Sequence, residues 1–274
     1  ILNNNDLAEE IARIIGFNNI EPKEFKIPLK ESDDISSKER KLKSFLIDNG
    51  FYEVINNPFV NKSSNEELII VDNPLDSNRN FLRKDLKESL INNLLYNERR
   101  QKDSIKLFEV SDVYTINETK ADFKYKRRIG IIGSGRVGNN YKEFSKKIDE
   151  EYFRKFFKSP LINIQLDFEI ISRNDLDTKL KNKIIYIEAD IDIFPESILE
   201  YNAEAIRPLD YNIYKPISEF PSSTRDISFL LKDPSILKEL EQKMLSYKSD
   251  YLKDAFIFDY YRNQEKNEIK IGFR

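Results

Sequence analysis

Cysteine and histidine are both missing from the 274 residues. Without them there is no disulfide, no thiolate nucleophile, no imidazole base, no zinc centre of the usual ligand sets and no Ser/His/Asp triad. Chemistry on this chain would have to rest on carboxylates, lysine, tyrosine or arginine. No apolar run approaches the roughly 18–20 residues that cross a bilayer, and the start carries no basic-then-apolar signal pattern, so a cytoplasmic protein is expected. A net charge of −3 supplies no general basic field, so any RNA contact must be local. What is present is 39% hydrophobic and 12% aromatic residues in a chain long enough for two domains, each with its own core.

The opening stretch NNDLAEEIARIIGFNN sets Leu7, Ile11, Ile14 and Ile15 on one helical stripe and Asp6, Glu9 and Glu10 on the other side, with Gly16 as a stop. Two readings of the acids are open. Asp6 caps the helix with Glu9 three residues on, which suits the positive end of the dipole. Alternatively, three carboxylates on one face offer hard oxygen ligands to Mg²⁺, with a further ligand needed from elsewhere.

IEPKEFKIPLKESDDISS lacks periodicity and reads as a linker. KERKLKSFLIDNGFYEVINNPFV predicts a helix with Leu42, Phe45 and Leu46 on one face, a break at Asn49-Gly50 and a strand from Tyr52 to Val60. ELIIVDNP is a second strand, and LRKDLKESLINNLLYNERR a helix carrying Leu86, Leu90, Leu94 and Leu95. Strands are expected in IKLFEVSDVYTI, KRRIGIIGSG, LINIQLDFEII and KIIYIEADIDI, with EEYFRKFFKSP helical. The order lacks regular strand-helix alternation and fits an α+β domain on a mainly antiparallel sheet. From Tyr214 the pattern is β-α-β-β, with Leu237, Leu240 and Met244 on one helical face. A ferredoxin-like unit needs one more helix and strand, so a chain truncated at both ends is expected.

Three further groupings invite functional readings. IGIIGSGRVGNN holds Gly133, Gly135 and Gly138 in a G-x-G-x-x-G frame after a strand, which suggests an NAD(P)-dependent oxidoreductase. The fingerprint also wants a helix opening at the last glycine and an acid about 20 residues on, whereas Asp167 and Glu169 come about 30 residues later; a glycine-rich loop is the better reading. The basic runs at 126–128 and 97–102 suit phosphate, or merely a solvated face. Phe256, Phe258 and Tyr260 alternate along a strand, as a core face or as a platform for bases.

Several blocks in order resemble the β subunit of bacterial-type phenylalanine–tRNA ligase. DLAEEIARIIGFNNI is similar to the end of that family's B5 domain. NPFVNKSSNEELIIVDNPLDSNRNFLRKDLKESLINNLL followed by KLFEVSDVY resembles its class II synthetase-like domain, and YKPISEFPSSTRDISFLL with AFIFDYYR and IKIGFR its ferredoxin-fold anticodon-binding domain. The resemblance implies residues 1–20 as the end of B5, 21–36 as linker, 37–210 as a catalytically inactive class II synthetase-like domain built on an antiparallel sheet, and 214–274 as a truncated ferredoxin-like domain. It implies Mg²⁺ ligands at Asp6, Glu9 and Glu10, completed by an Asp just before this chain begins. It further implies no catalytic residue here, with ATP and phenylalanine handled by the α subunit of an α₂β₂ assembly, and tRNA(Phe) met through the C-terminal module. From Tyr214 onward 11 Lys and Arg stand against 10 Asp and Glu, so charge alone marks no RNA surface. The alternatives are the oxidoreductase and a free-standing interaction protein needing no α partner.

Overall fold

A computed structural model describes residues 3–23, 34–61, 68–76, 79–116, 123–174, 176–178, 180–202, 214, 216 and 220–274. The chain divides into two compact units, residues 1–33 and 34–274. Most of the expected linker, at 24–33, and the boundary expected near 210–214 lie outside the described residues, Tyr214 excepted.

The first unit is helix α1 (Asn4–Ile15) and a short 3₁₀ turn. Its cap is Asn3, not Asp6: the Asn3 side chain accepts from the N–H groups of Asn5 and Asp6 at 2.8 and 3.0 Å. Asparagine just outside the first turn satisfies two orphan donors, leaving Asp6 inside the helix. Gly16 ends it at φ +86°, a conformation glycine adopts without steric cost.

The second unit opens with helix α2 (Asp34–Asp48). The single strand expected from Tyr52 to Val60 is instead two short ones, β1 (Tyr52–Glu53) and β2 (Phe59–Val60). Proline at 58, which cannot donate to a ladder, lies in the gap between them. β3 (Ile69–Ile70) and β4 (Phe81–Leu82) complete a small sheet in the order β2-β4-β3. Helix α3 (Lys87–Glu98) leads to β5 (Ser104–Ile116) and β6 (Phe123–Gly135), a long hairpin paired across all 13 positions. Helix α4 (Glu150–Phe157), β7 (Glu169–Ile171) and β8 (Ile184–Asp190) follow. The larger sheet runs β1-β5-β6-β8-β7 and is antiparallel except for β1 against β5.

Alternation along the strands divides the core. Phe108, Val110, Ile129, Ile131, Ile185 and Ile187 meet Leu42, Phe45 and Leu46 of α2 and Phe153 and Phe157 of α4. Leu107, Ile132, Ile184 and Tyr186 meet Leu86, Leu90 and Leu94 on the other face. These three leucines are fully buried, each worth roughly 1.5–3 kcal/mol. Gly130 lets α3 sit close, since a Cβ there would stand 2.7 Å from Leu90 Cδ1. The strand expected over 161–171 shrinks to its last three residues. Asn163 takes φ +34° and Ile164 donates back to the Phe157 carbonyl, so the chain folds over the end of α4 while Ile162 and Leu166 still fill the core.

The C-terminal elements are β9 (Ile227–Leu231), helix α5 (Leu237–Ser246), β10 (Ile257–Asn263) and β11 (Glu268–Phe273), in the sheet order β10-β11-β9 and antiparallel throughout. Leu237, Leu240 and Met244 of α5 cover Leu231, Ile269, Ile271 and Phe273.

Candidate functional site

The densest buried polar chemistry lies around α3. Under its middle, Glu109 projects from β5 and is met by Arg83, whose Nη1 lies 2.9 Å from Glu109 Oε1; the side chains are 1% and 2% exposed. Asn56 donates from Nδ2 to Glu109 Oε2 at 2.7 Å and accepts from Asn93 of α3 at 2.8 Å. At the helix start, Glu188 accepts from the Leu86 N–H at 3.1 Å, from Arg128 Nη1 at 2.7 Å and from the Tyr186 hydroxyl. Burial pushes the Glu188 carboxyl above the usual range, despite the pull of those three donors, and Asp85 adds to the rise. The same burial, with Glu188 alongside, drives the Tyr186 phenol far upward. At the helix end, Glu98 takes both terminal nitrogens of Arg173 at 2.7 and 3.0 Å, and Arg173 also reaches Ser134. Each carboxylate is enclosed and paired, as low-dielectric burial demands. The arrangement fixes α3 on the sheet rather than presenting a free acid or base.

None of these three glutamates was among the sequence candidates. A signal is present: Glu109 and Glu188 each interrupt an apolar stretch, in LFEV and IIYIEA, and Arg83 follows Leu82 just ahead of the leucine-rich helix.

Asp6, Glu9 and Glu10 all lie on α1. Glu9 and Glu10 are drawn to Arg13, at 2.6 and 3.2 Å. Among the described residues no group of three or more carboxylates stands where it could hold a metal ion.

Packing accounts for the first two glycines of the frame, while the third closely meets only the end of a flexible side chain. Gly133 is inside β6, where a Cβ would meet Ile148 at 2.9 Å. Gly135, at φ +94°, lies against the Asp103 carbonyl, which a Cβ would approach to 2.0 Å, and at Gly138 it would meet Glu143 at 2.3 Å. The next helix opens only at Glu150, capped by Asp149. Nothing places a helix N-terminus at the frame, so the dinucleotide fingerprint fails.

The basic runs are mixed: Arg127 and Arg128 are partly buried against acids, while Lys126 and Arg99 are paired from solvent-exposed positions. Lys126 pairs with Asp190, Arg127 with Glu39 and Asp112, Arg128 with Glu188 and Asp190, and Arg99 with Asp177; Arg100 lies 3.3 Å over the Tyr96 ring. The aromatic strand splits. A bulge between Ile257 and Asp259 puts Ile257 and Tyr260 with the core under α5, while Phe256 and Phe258 turn to Phe144. The alternation expected of all three aromatics is broken by that one extra residue.

The family model of the phenylalanyl tRNA synthetase beta chain CLM domain matches residues 21–176. The chain belongs to that family. Curated phenylalanine–tRNA ligase beta subunits are similar across nearly its full length: 25% identical over 98% of it in Dechloromonas aromatica and 26% over 97% in Francisella tularensis. The chloroplastic beta subunit of Porphyra purpurea is 27% identical over 94%. The chain spans 38%, 37% and 40% of those relatives' lengths. The pyrrolysyl-tRNA synthetase from Desulfitobacterium hafniense is a looser structural likeness, with 14% identity and a TM-score of 0.42 over 68% of this chain and 72% of that one. No described helix is long and apolar enough to cross a membrane.

Proposed function

We propose that this chain is the C-terminal portion of a phenylalanine–tRNA ligase β subunit, serving ATP-dependent attachment of phenylalanine to tRNA(Phe) in the cytoplasm. The observation that carries the reading is the family match over residues 21–176 within similarity to β subunits that runs through 98% of the chain. Residues 37–210 act as a class II synthetase-like domain whose role is to build the contact with the α subunit of an α₂β₂ assembly. ATP and phenylalanine are bound by that subunit. The seating of α3 on the sheet supports this division, because leucines and paired glutamates fill that face and leave no free acid or base on it.

Residues 214–274 act as a ferredoxin-fold module that meets tRNA. Support comes from the order β9-α5-β10-β11 with the last strand between the other two, the layout of a split β-α-β unit. Mg²⁺ is the cofactor carried over to Asp6, Glu9 and Glu10. Their donor chemistry suits it, but as arranged two of the three face Arg13. An ion there requires Arg13 to release them and a further oxygen ligand.

The test is co-expression with a phenylalanine–tRNA ligase α subunit. Copurification as a heterotetramer, with tRNA binding that weakens as salt rises, is expected. A chain that stays apart from α and leaves aminoacylation unchanged refutes the assignment.

A further inference from the structure

Phe144 lies in the loop between β6 and α4 and is only 6% exposed. Its ring is met by Phe256 and Phe258 from the three-stranded C-terminal sheet β10-β11-β9, the smaller of the two sheets that Phe144 bridges, at 5.7 and 5.6 Å between centroids. The guanidinium groups of Arg136 and Arg274 also face it, at 3.9 and 4.9 Å. Each guanidinium is tethered. Arg274 pairs with both carboxylate oxygens of Asp226 at 2.7 and 2.8 Å. Arg136 donates to the Phe144 carbonyl at 2.6 Å and lies 3.4 Å from Asp103. Tyr141 adds one contact, to Tyr260 at 5.4 Å.

The smaller sheet is shaped for this contact. Phe258 packs close against Gly272, where a Cβ would come within 2.8 Å of its ring. The Phe256 and Arg274 backbones exchange hydrogen bonds at 2.8 and 2.9 Å, setting their side chains side by side. Phe256 and Phe258 are outside the smaller sheet's own core, which Leu231, Ile269, Ile271 and Phe273 form with α5. Elsewhere among the described residues, no strand or helix of the smaller sheet packs broadly on an element of the larger one.

We infer that Phe144 is a latch: one aromatic side chain, gripped by two phenylalanines and two tethered arginines, sets the position of the C-terminal sheet against the five-stranded sheet. Cation–π and edge-on aromatic contacts are directional and individually modest. A joint made of them holds one orientation yet opens without unfolding either side, because, Tyr260 apart, none of its side chains is part of either sheet's core. Breaking it releases the C-terminal module as a body, which distinguishes it from a domain interface filled by aliphatic side chains.

The absence of native cysteine makes the test clean. Lys124→Cys and Lys266→Cys, both exposed, give one spin-label pair across the two sheets in the full chain. A single narrow distance peak is expected, lost to a broad distribution when Phe144→Ala or Phe258→Ala is added. Amide protection at Ile131 and Ile271 should stay as it was in both variants. A peak unchanged in both variants overturns the latch, and so does loss of protection at Ile131 or Ile271 in both, which would make the contact part of a folding core. If only one variant loses protection, the distance result in the other decides.

Discussion

Arg83 and Glu109 form an ion pair that water does not reach, with Nη1 2.9 Å from Oε1 and both side chains almost wholly enclosed. The pair joins β4 to β5, and Arg83 Nε adds a 3.3 Å hydrogen bond to the Asp112 carbonyl. Removing one member strands a charge in low dielectric. Arg83→Met should therefore cost about 3–5 kcal/mol, whereas Arg83→Met with Glu109→Leu should recover part of that loss. Urea unfolding of the single and double variants checks it. A single variant within about 1 kcal/mol of the parent would mean that water reaches the site.

Gly135 separates packing from nucleotide binding. Its positive φ and the Asp103 carbonyl beside it leave no room for a side chain. Gly135→Val should lower stability by about 1–3 kcal/mol or more, since strain adds to overpacking. Calorimetric titration with NAD(H) should be silent for parent and variant alike. Heat of binding in the parent that disappears in the variant would restore the dinucleotide reading.

The elements legible in the sequence are those whose apolar spacing agrees with their packing. Leu42, Phe45 and Leu46 on α2, and Leu86, Leu90 and Leu94 on α3, were spaced for burial and are buried. Short elements were less legible. Residues 161–168 have the apolar content of a strand, but the left-handed Asn163 and a hydrogen bond to the end of α4 turn them into a loop. The cap falls at Asn3 rather than Asp6 because an asparagine side chain serves the first N–H groups as well as a carboxylate does, so the acids alone do not locate it. The glutamates around α3 pass unnoticed for a physical reason: their partners Arg83, Arg128 and Arg173 come from other segments, 26, 60 and 75 residues away.

Glu188 gives stability a pH dependence whose sign follows from its environment. Burial lifts its carboxyl above the ordinary value of 4.5, so in that window the folded state keeps a proton that the unfolded state releases. Stability must then fall as pH rises from 4.5 toward the raised value. Glu188→Gln should flatten this part of the profile and leave the rest of the curve parallel, since Arg128 keeps Asp190 at 2.8 Å. Denaturation midpoints at closely spaced pH values test it. A slope in the variant equal to the parent's would assign the proton elsewhere.

Arg13 decides whether the carboxylates of α1 can serve a metal. It draws Glu9 and Glu10 together at 2.6 and 3.2 Å, which satisfies both without an ion. Both are exposed, so the pairs themselves contribute little and Arg13→Ala should barely change stability. What it removes is a cation competing for the oxygens. If Asp6, Glu9 and Glu10 belong to a Mg²⁺ site, the thermal melt of Arg13→Ala should shift upward with added Mg²⁺ more than the parent's does, because binding to the folded state alone stabilises it. Glu9→Ala with Glu10→Ala should abolish the shift. Ca²⁺ should produce a different response, since Mg²⁺ demands near-octahedral geometry and the larger ion does not. Melts of all three proteins that ignore Mg²⁺ would leave the acids with a purely electrostatic role beside the helix dipole, which favours negative charge near its start.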